Sequence, residues 1–303
     1  MADFIKLDKK ETEDKPKRPR FSFRNVLLIL LALFIVSSII SSISYSMASK
    51  VAIIPIKGTI MSESSYSILY GESISSRDIA SQIRTVANDP TYVGILLDIN
   101  SGGGSAVATQ EISSAIDYAK ENGVKVYAVA GDVAASGAFW IGTSAERFYA
   151  SQMSIMGSVG VTMAGLSFEE FIEEYNISYR RLTAGEYKDI GSSYRKMTVE
   201  EEVIIQDLLD ETHGIFINHV AEARNLDIDL VKEWSQGQIF SGNKAKELGF
   251  IDEIGLYEDA LNDLKGDQEV LIIEYGQEQT LLGSLGVNGP SLLPRSSLGL
   301  LLE

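Results

Sequence analysis

The sequence of 303 residues predicts an α/β fold, a parallel sheet with flanking helices, preceded by one N-terminal transmembrane helix. Short apolar runs alternate along the chain with segments of helical spacing, which is the pattern of an α/β domain. The apolar runs show no polar alternation, as expected for parallel strands that are buried on both faces. A third observation is the uncharged run VLLILLALFIVSSIISSISYSM at 26–47, which predicts the transmembrane helix.

The uncharged run is long enough to cross a bilayer, because a helix of this length spans roughly 33 Å at about 1.5 Å per residue. Residues 1–25 contain eight Lys or Arg against five acidic residues. By the positive-inside rule, 1–25 is then a cytoplasmic basic tail, 26–47 is the anchor, and the body that follows is extracytoplasmic at the cell membrane. A cleaved signal peptide is the alternative, since the second half of the run is rich in serine.

Composition excludes several classes of function. The chain has no cysteine, which removes disulfides, thiolate metal sites and cysteine catalysis. A net charge of −16, with basic residues concentrated at the N-terminus, leaves an acidic body that repels phosphate backbones, so nucleic acid is not an expected partner. The two histidines, His213 and His219, are about 120° apart on one predicted helix, so we expect structural roles and no shared metal.

The body alternates strands and helices, and its βαβαβα order requires a parallel sheet. The predicted buried strands are 51–58, 92–100, 124–131 and 269–276. The predicted helices are 77–88, 108–123, 134–146, 167–177 and 198–225, with a shorter capped helix and a turn within 238–255. We assign 50–275 to one extracytoplasmic domain and 276–303 to a C-terminal tail rich in Leu, Gly and Ser.

A glycine loop, SGGGS at 101–105, follows the predicted strand 92–100. Ligands of open parallel sheets bind beyond the carboxyl ends of the strands, where glycines allow close approach and leave N–H donors unobstructed. The loop is either an ordinary turn or a set of hydrogen-bond donors. Nucleotide binding is not expected, because neither the Walker pattern nor GxGxxG is present.

Ser136 lies in the stretch GDVAASGAFW, which follows the predicted strand 124–131. It is either a helix cap or packing residue, or a nucleophile whose oxyanion the neighbouring glycine loop would stabilise. The bulky residues after it, Phe139 and Trp140, are expected to pack against the sheet rather than line a groove.

A nucleophilic serine needs a base within hydrogen-bonding reach, and the two histidines are not placed for that role. Lys188, in the glycine-flanked segment LTAGEYKDIGSS, is the alternative. An ordinary lysine has a pKa of about 10.4 and is protonated at neutral pH, so only a dry site would make it a base. From the residues alone, Lys188 is either such a base or a solvated surface lysine.

Five stretches, taken in order, resemble one family. They are NSGGGS, GDVAASGAFWIGTSAERFYAS, MGSVGV, LTAGEYKDIGSSYRKMTVEEE and IFSGNKAKELGFIDEIG. They are similar to the bacterial signal peptide peptidase A family, serine–lysine peptidases of the Clp/crotonase superfamily. The resemblance covers about 50–275, and the chain has the length of the short, single-domain members.

The resemblance implies a Clp/crotonase-like fold in which Ser136 is the nucleophile and Lys188 the general base. Ser158, in MGSVGV, matches the serine that hydrogen-bonds the lysine and helps to hold it in place.

The resemblance also implies an oxyanion hole formed by the N–H of Gly137 together with that of Gly103 or Gly104. The sequence departs from the family at Gly102, where a proline is usual. Glycine at this position makes the loop less rigid.

In function, the resemblance implies a membrane-anchored serine endopeptidase that degrades remnant signal peptides and needs no cofactor. Its partners would be signal peptides and other apolar peptides, the lipid bilayer through 26–47, and further copies of itself in a ring- or dome-shaped homo-oligomer. The alternatives are a catalytically silent membrane scaffold or adaptor of the same fold and a membrane-associated protease of broader specificity. A third alternative is a crotonase-type enzyme that acts on CoA thioesters. It is disfavoured because an extracytoplasmic body would not meet cytoplasmic CoA thioesters.

Overall fold

The computed structural model describes most of the body of the chain and a few helical positions before it. The described residues are 27–28, 30–31, 33–37, 48–64, 66–67 and 71–276. The chain divides into two units, Met1–Ala48 and Ser49–Glu303. Most of the predicted anchor and nearly all of the predicted C-terminal tail lie outside the described residues, and within the described part no helix has the length and apolar character needed to cross a membrane.

The elements of the body follow one another in an alternating order. The strands are β1 (Lys50–Lys57), β2 (Thr59–Met61), β3 (Tyr66–Ser67), β4 (Gly71–Ser75), β5 (Tyr92–Ser101), β6 (Lys125–Ala135), β7 (Arg147–Ala150), β8 (Ile155–Gly157), β9 (Ile239–Ser241), β10 (Glu253–Ile254) and β11 (Leu271–Glu274). The helices are α1 (Ser76–Ala87), α2 (Ala106–Glu121), α3 (Gly137–Ser144), α4 (Glu169–Glu174), α5 (Val199–Arg224), α6 (Ile228–Glu233), α7 (Gly242–Glu247) and α8 (Tyr257–Lys265).

The main sheet has the strand order β10-β7-β6-β5-β1-β11, and each pair along this path is parallel. Strand β8 adds to the end of β6 in parallel and pairs with β9 in antiparallel fashion. A smaller sheet has the order β2-β4-β3. The prediction of an α/β domain with a mainly parallel sheet and flanking helices is therefore confirmed.

Both faces of the main sheet are buried at its central strands, where successive side chains enter different cores. In β1, Ile54 and Ile56 belong to the larger core, which also takes apolar residues of α1, α2 and α3. Val51 and Ile53 of the same strand enter a smaller core with Leu261 of α8. This two-sided burial is why the strands read as continuous apolar runs.

The prediction of a helix from 134 was wrong at its start. Strand β6 continues to Ala135, because Val133–Ala135 pair with Ile155–Gly157 of β8. Alanine is a good helix former, so only this long-range pairing keeps the segment extended. The helix α3 begins at Gly137, and Ser136 is left at the junction between strand and helix.

The two large residues at the start of α3 pack inside the domain. Phe139 is fully buried and lies edge-on to Phe250, with ring centroids 5.8 Å apart. Trp140 is partly buried and packs against the larger core. The expectation of packing against the sheet is confirmed for Phe139, which contacts Phe148 of β7, whereas the rings that Trp140 contacts belong to α5.

Candidate active site

The backbone of Ser136 has an unusual conformation at the β6–α3 junction, with φ of 52° and ψ of −127°. Its side chain makes no capping hydrogen bond to the helix, so the helix-cap interpretation is wrong. A non-glycine residue with positive φ is strained, and such strain persists where the surrounding structure imposes it, often at functional sites. The Ser136 hydroxyl therefore does not cap α3.

Strand β8 holds Ser136 in this conformation and brings Ser158 beside it. The Ser136 N–H donates to the carbonyl oxygen of Gly157 at 2.8 Å, and the Ser158 N–H donates to Gln238 at 2.8 Å. Because Ala135 pairs with Gly157, the next residue of each strand lies at the same edge of the sheet. Ser158 also has a positive φ of 53°.

The glycine loop lies against the start of α3, as predicted from the strand ends. It is attached to β2, since the Ile60 N–H donates to Gly103 at 3.0 Å and the Ser105 N–H donates to Ile60 at 2.8 Å. A Cβ on Gly104 would lie 2.0 Å from the Ile60 carbonyl oxygen, and one on Gly137 would lie 2.2 Å from Oγ1 of Thr109. Both positions therefore require glycine.

The N–H groups of the loop differ in what they bind. The Gly103 N–H donates to Oγ of Ser101 at 3.0 Å, and that hydroxyl donates in turn to the Gly58 carbonyl. The N–H of Gly104 takes part in no described hydrogen bond. The N–H of Gly137, as the first residue of α3, has no intrahelical partner. The geometry therefore leaves Gly104 and Gly137, rather than Gly103, to donate to a ligand.

A cleft of about 450 Å³ opens beside Ser136 and Ser158. One wall is α5, which contributes Gln206, Leu209, Asp210 and His213; the other lining residues are Gly160, Val161, Thr162, Gln236 and Gly237. The cleft combines apolar and polar side chains around the candidate nucleophile.

His213 lies in this cleft, which the sequence did not indicate. Its Nε2 is 2.6 Å from the carbonyl oxygen of Ser235, so that nitrogen carries a hydrogen and donates it. The histidine is thereby oriented by the backbone beside the cleft. Helical spacing predicted the angular position of His213 on α5, but it did not predict that this side of the helix lines the cleft.

His219, one turn and a half further along α5, lies against α3 instead. It stacks on Trp140 with ring centroids 4.2 Å apart, and its Nε2 is 3.1 Å from Oγ of Ser144. Burial lowers the pKa of His219 to about 4, so the ring is neutral at physiological pH. These contacts support a structural role behind the helix that follows Ser136.

Lys188 is exposed and is not among the residues that line the cleft. It belongs to a segment that we call the arm, residues 162–198, in which most side chains are exposed. Large apolar residues of the arm face solvent, among them Leu166 at 73% and Leu182 at 98% exposure. The structure thus brings Ser136, Ser158 and the loop glycines together, and leaves Lys188 on the arm.

These features define a class of protein. A strained serine that lines a cleft at a strand–helix junction, with unpartnered backbone N–H groups nearby, is the arrangement of a serine hydrolase. The model of peptidase family S49 matches residues 118–271 of the chain. The chain belongs to this family, and it is a serine peptidase of the SppA type.

Three relatives are consistent with that assignment. A protein of Enterococcus faecium named as a signal peptide peptidase SppA is 30% identical over 76% of this chain and 68% of its own length. Protease 4 of Haemophilus influenzae is 28% identical over 72% of this chain and 35% of its own. The chloroplastic serine protease SPPA of Arabidopsis thaliana is 26% identical over 61% of this chain and 27% of its own length. The chain thus spans well under two thirds of the last two relatives.

Proposed function

We propose that this chain is a membrane-anchored serine endopeptidase that degrades remnant signal peptides, with Ser136 as nucleophile and Lys188 as general base. The observation that carries the proposal is the conformation of Ser136, whose uncapped hydroxyl lies at a cleft beside two free N–H groups. Family membership makes the chain a serine peptidase; the dyad, the anchor and the substrate are the proposed parts.

In the proposed reaction, Oγ of Ser136 attacks the carbonyl carbon of the scissile bond while Nζ of Lys188 accepts its proton. The carbonyl oxygen becomes an oxyanion that accepts hydrogen bonds from Gly104 and Gly137, and one such donor contributes about 3 kcal/mol to the transition state. The C–N bond then breaks, and the leaving amine takes the proton from Lys188. Lys188, now neutral again, deprotonates a water molecule that attacks the acyl-serine ester. The ester bond breaks, and Lys188 returns the proton to Oγ of Ser136.

Lysine acts as a base only in its neutral form, which a dry environment favours. Lys188 is exposed in the single chain, so the proposal requires the arm to be covered in the active enzyme. A ring- or dome-shaped homo-oligomer would cover it, and the exposed apolar residues of the arm support such an assembly. Within the assembly, the lysine would meet a cleft that contains Ser136 and Ser158, whose hydroxyl would hydrogen-bond the neutral amine.

The proposed location is the cell membrane, with a single pass through 26–47, the N-terminus in the cytoplasm and the peptidase domain outside. The uncharged run and its basic flank support this orientation. Signal peptides left in a bilayer are apolar, and an enzyme anchored beside them would meet them directly. A covered chamber would also keep folded proteins away from the nucleophile.

The test is to label the protein with a fluorophosphonate, map the labelled peptide, and assay Ser136→Ala and Lys188→Met on a fluorogenic signal-peptide substrate. We expect the label on Ser136 and cleavage abolished in both variants, with unchanged circular dichroism. Full activity in either variant would exclude the dyad. Absence of labelling and cleavage in the wild type would favour a silent scaffold, and equal cleavage of unfolded soluble proteins would favour a broader protease.

The pH dependence of cleavage gives a second check on the lysine. The rate should rise toward alkaline pH as the Lys188 ammonium loses its proton. A rate that stays flat from about pH 6 to 10 would count against a titrating lysine base.

A further inference from the structure

We propose that Arg195 is a positioning residue for the reaction, which fixes the segment carrying Lys188 against helix α5 through paired contacts with Asp189 and Glu201. The inference rests on the proposed function, because it takes Lys188 as the general base. We call these three residues the clamp.

The first half of the clamp is the contact between Arg195 and Asp189. Nε and Nη2 of Arg195 donate to the two carboxylate oxygens of Asp189 at 3.0 and 2.9 Å, and Nη2 also reaches the Asp189 carbonyl at 3.3 Å. Nε of Arg181 lies 2.7 Å from the same carboxylate. Since Asp189 directly follows Lys188, these contacts fix the backbone next to the proposed base.

The second half joins Arg195 to the first turn of α5. Nη1 and Nη2 donate to the two carboxylate oxygens of Glu201 at 2.7 and 2.6 Å. Glu201 is only 2% exposed, and its carboxylate also accepts the Thr198 N–H at 3.0 Å in a capping box. The Arg195 guanidinium holds the pKa of Glu201 at about 2, so this carboxylate stays ionised near neutral pH.

The clamp therefore connects two parts of the proposed site. One end lies beside Lys188, and the other lies on the helix whose side chains Gln206, Asp210 and His213 line the cleft of Ser136. Asp189 and Arg195 are only 15% and 19% exposed, although most side chains of the arm are open to solvent. An apolar contact would hold the arm without fixing its angle, whereas two bidentate pairs fix both distance and orientation.

A planar guanidinium is needed for this geometry. Arginine presents its donors in a rigid fork that matches two carboxylates at once, while the ammonium of lysine is a single point of charge. A displacement of about 1 Å between base and nucleophile costs up to about 10²-fold in rate. Loss of the clamp should consequently lower kcat and leave substrate binding nearly unchanged.

The experiment compares Arg195→Gln, Arg195→Lys, Glu201→Gln and the double variant Arg195→Gln/Glu201→Gln in the full-length, assembled protein. Arg147→Gln is the matched control. Arg147 of β7 pairs with Asp263 of α8 at 2.7 Å, and neither residue belongs to the arm or to α5. We expect a fall in kcat of roughly 30- to 100-fold for Arg195→Gln, with KM within about twofold. Arg195→Lys should fail to restore kcat, and the double variant should lose no more than Arg195→Gln alone.

Three results would overturn the inference. They are an unchanged kcat in Arg195→Gln, a full kcat in Arg195→Lys, or a fall in kcat that is fully explained by a smaller folded fraction of the variant, as measured by thermal denaturation. Lys188→Met, assayed in parallel, separates the two levels of the proposal. If Lys188→Met is inactive while Arg195→Gln is normal, the clamp alone is rejected. If Lys188→Met is active, the proposed function and the clamp fall together.

Discussion

The backbone N–H of Ser136 donates to the carbonyl oxygen of Gly157 at 2.8 Å, so the residue that follows β6 is tied to the end of β8, next to Ser158. Each of the two serines follows directly on a paired strand end, and each has a positive φ, 52° and 53°. Position 157 requires glycine, because its φ is 89° and a Cβ there would lie 2.5 Å from the ring of Phe240. The pairing of β6 with β8 therefore positions both serines and imposes their strained backbone conformations.

The strained backbone at Ser136 predicts that glycine is more stable than alanine at this position. Glycine adopts this backbone conformation without steric cost, whereas alanine keeps the strain of serine. We expect the free energy of unfolding of Ser136→Gly to exceed that of Ser136→Ala by about 1 kcal/mol, while both lose cleavage. Chemical denaturation of the two variants measures the difference, and equal midpoints would contradict the strain argument.

The free N–H groups predict which glycines the reaction needs. Gly104→Ala and Gly137→Ala should lower kcat by about 10²-fold or more, because the added Cβ meets Ile60 or Thr109 and displaces an N–H group that we propose as an oxyanion donor. Gly102→Ala is the control, since nothing lies within 4 Å of a Cβ at that position. If Gly102→Ala is as damaging as the other two, loop flexibility rather than donor geometry controls the rate.

Proline at position 102 should be accepted and should stiffen the loop. A side chain at Gly102 meets open space, its N–H makes no described hydrogen bond, and Ser101 before it is extended, as a residue preceding proline must be. We expect Gly102→Pro to raise the free energy of unfolding by about 0.4–1 kcal/mol with cleavage retained. A lower melting temperature would show that the loop needs a backbone conformation closed to proline.

The sequence predicted the parts of the fold that depend on local pattern. Strands β1, β5 and β6 follow from apolar runs, and the approach of the glycine loop to Ser136 follows from neighbouring strand ends. The three-residue strand β8 has no sequence pattern of its own and forms because β6 and β9 pair with it. Only the family resemblance therefore predicted a site role for Ser158, which follows β8 and lies in the cleft with Ser136.

Helix α5 shows a second limit of sequence analysis. The helical spacing of Ile204, Leu208 and Ile215 puts them on one apolar face of α5, the kind of face that a domain usually buries. In the structure these residues are exposed, at 42%, 56% and 49%, while Phe216 and Ile217 are buried. The apolar residues that α5 buries begin at Phe216, so the helix up to Ile215 lies largely outside the core. A periodic pattern shows that an apolar face exists, but not whether the same domain or another molecule covers it.

Buried His219 predicts a loss of stability in mild acid. Its pKa is about 4 in the folded protein, against an ordinary value of 6.5, because burial disfavours the charged ring. Between these values the unfolded chain binds more protons than the native one, so the free energy of unfolding falls as the pH falls. We expect a decrease of about 2 kcal/mol between pH 7 and pH 5, a window above the range in which most carboxylates titrate. Urea denaturation at both pH values measures it.

The matched variant for this prediction is His219→Gln, which keeps a hydrogen-bonding group next to Ser144 and removes the titration. Its free energy of unfolding should differ by less than about 0.5 kcal/mol between the two pH values, even if it is lower overall. A decrease that survives in His219→Gln would have to arise from another group, and the neutral, buried state of His219 would no longer explain it.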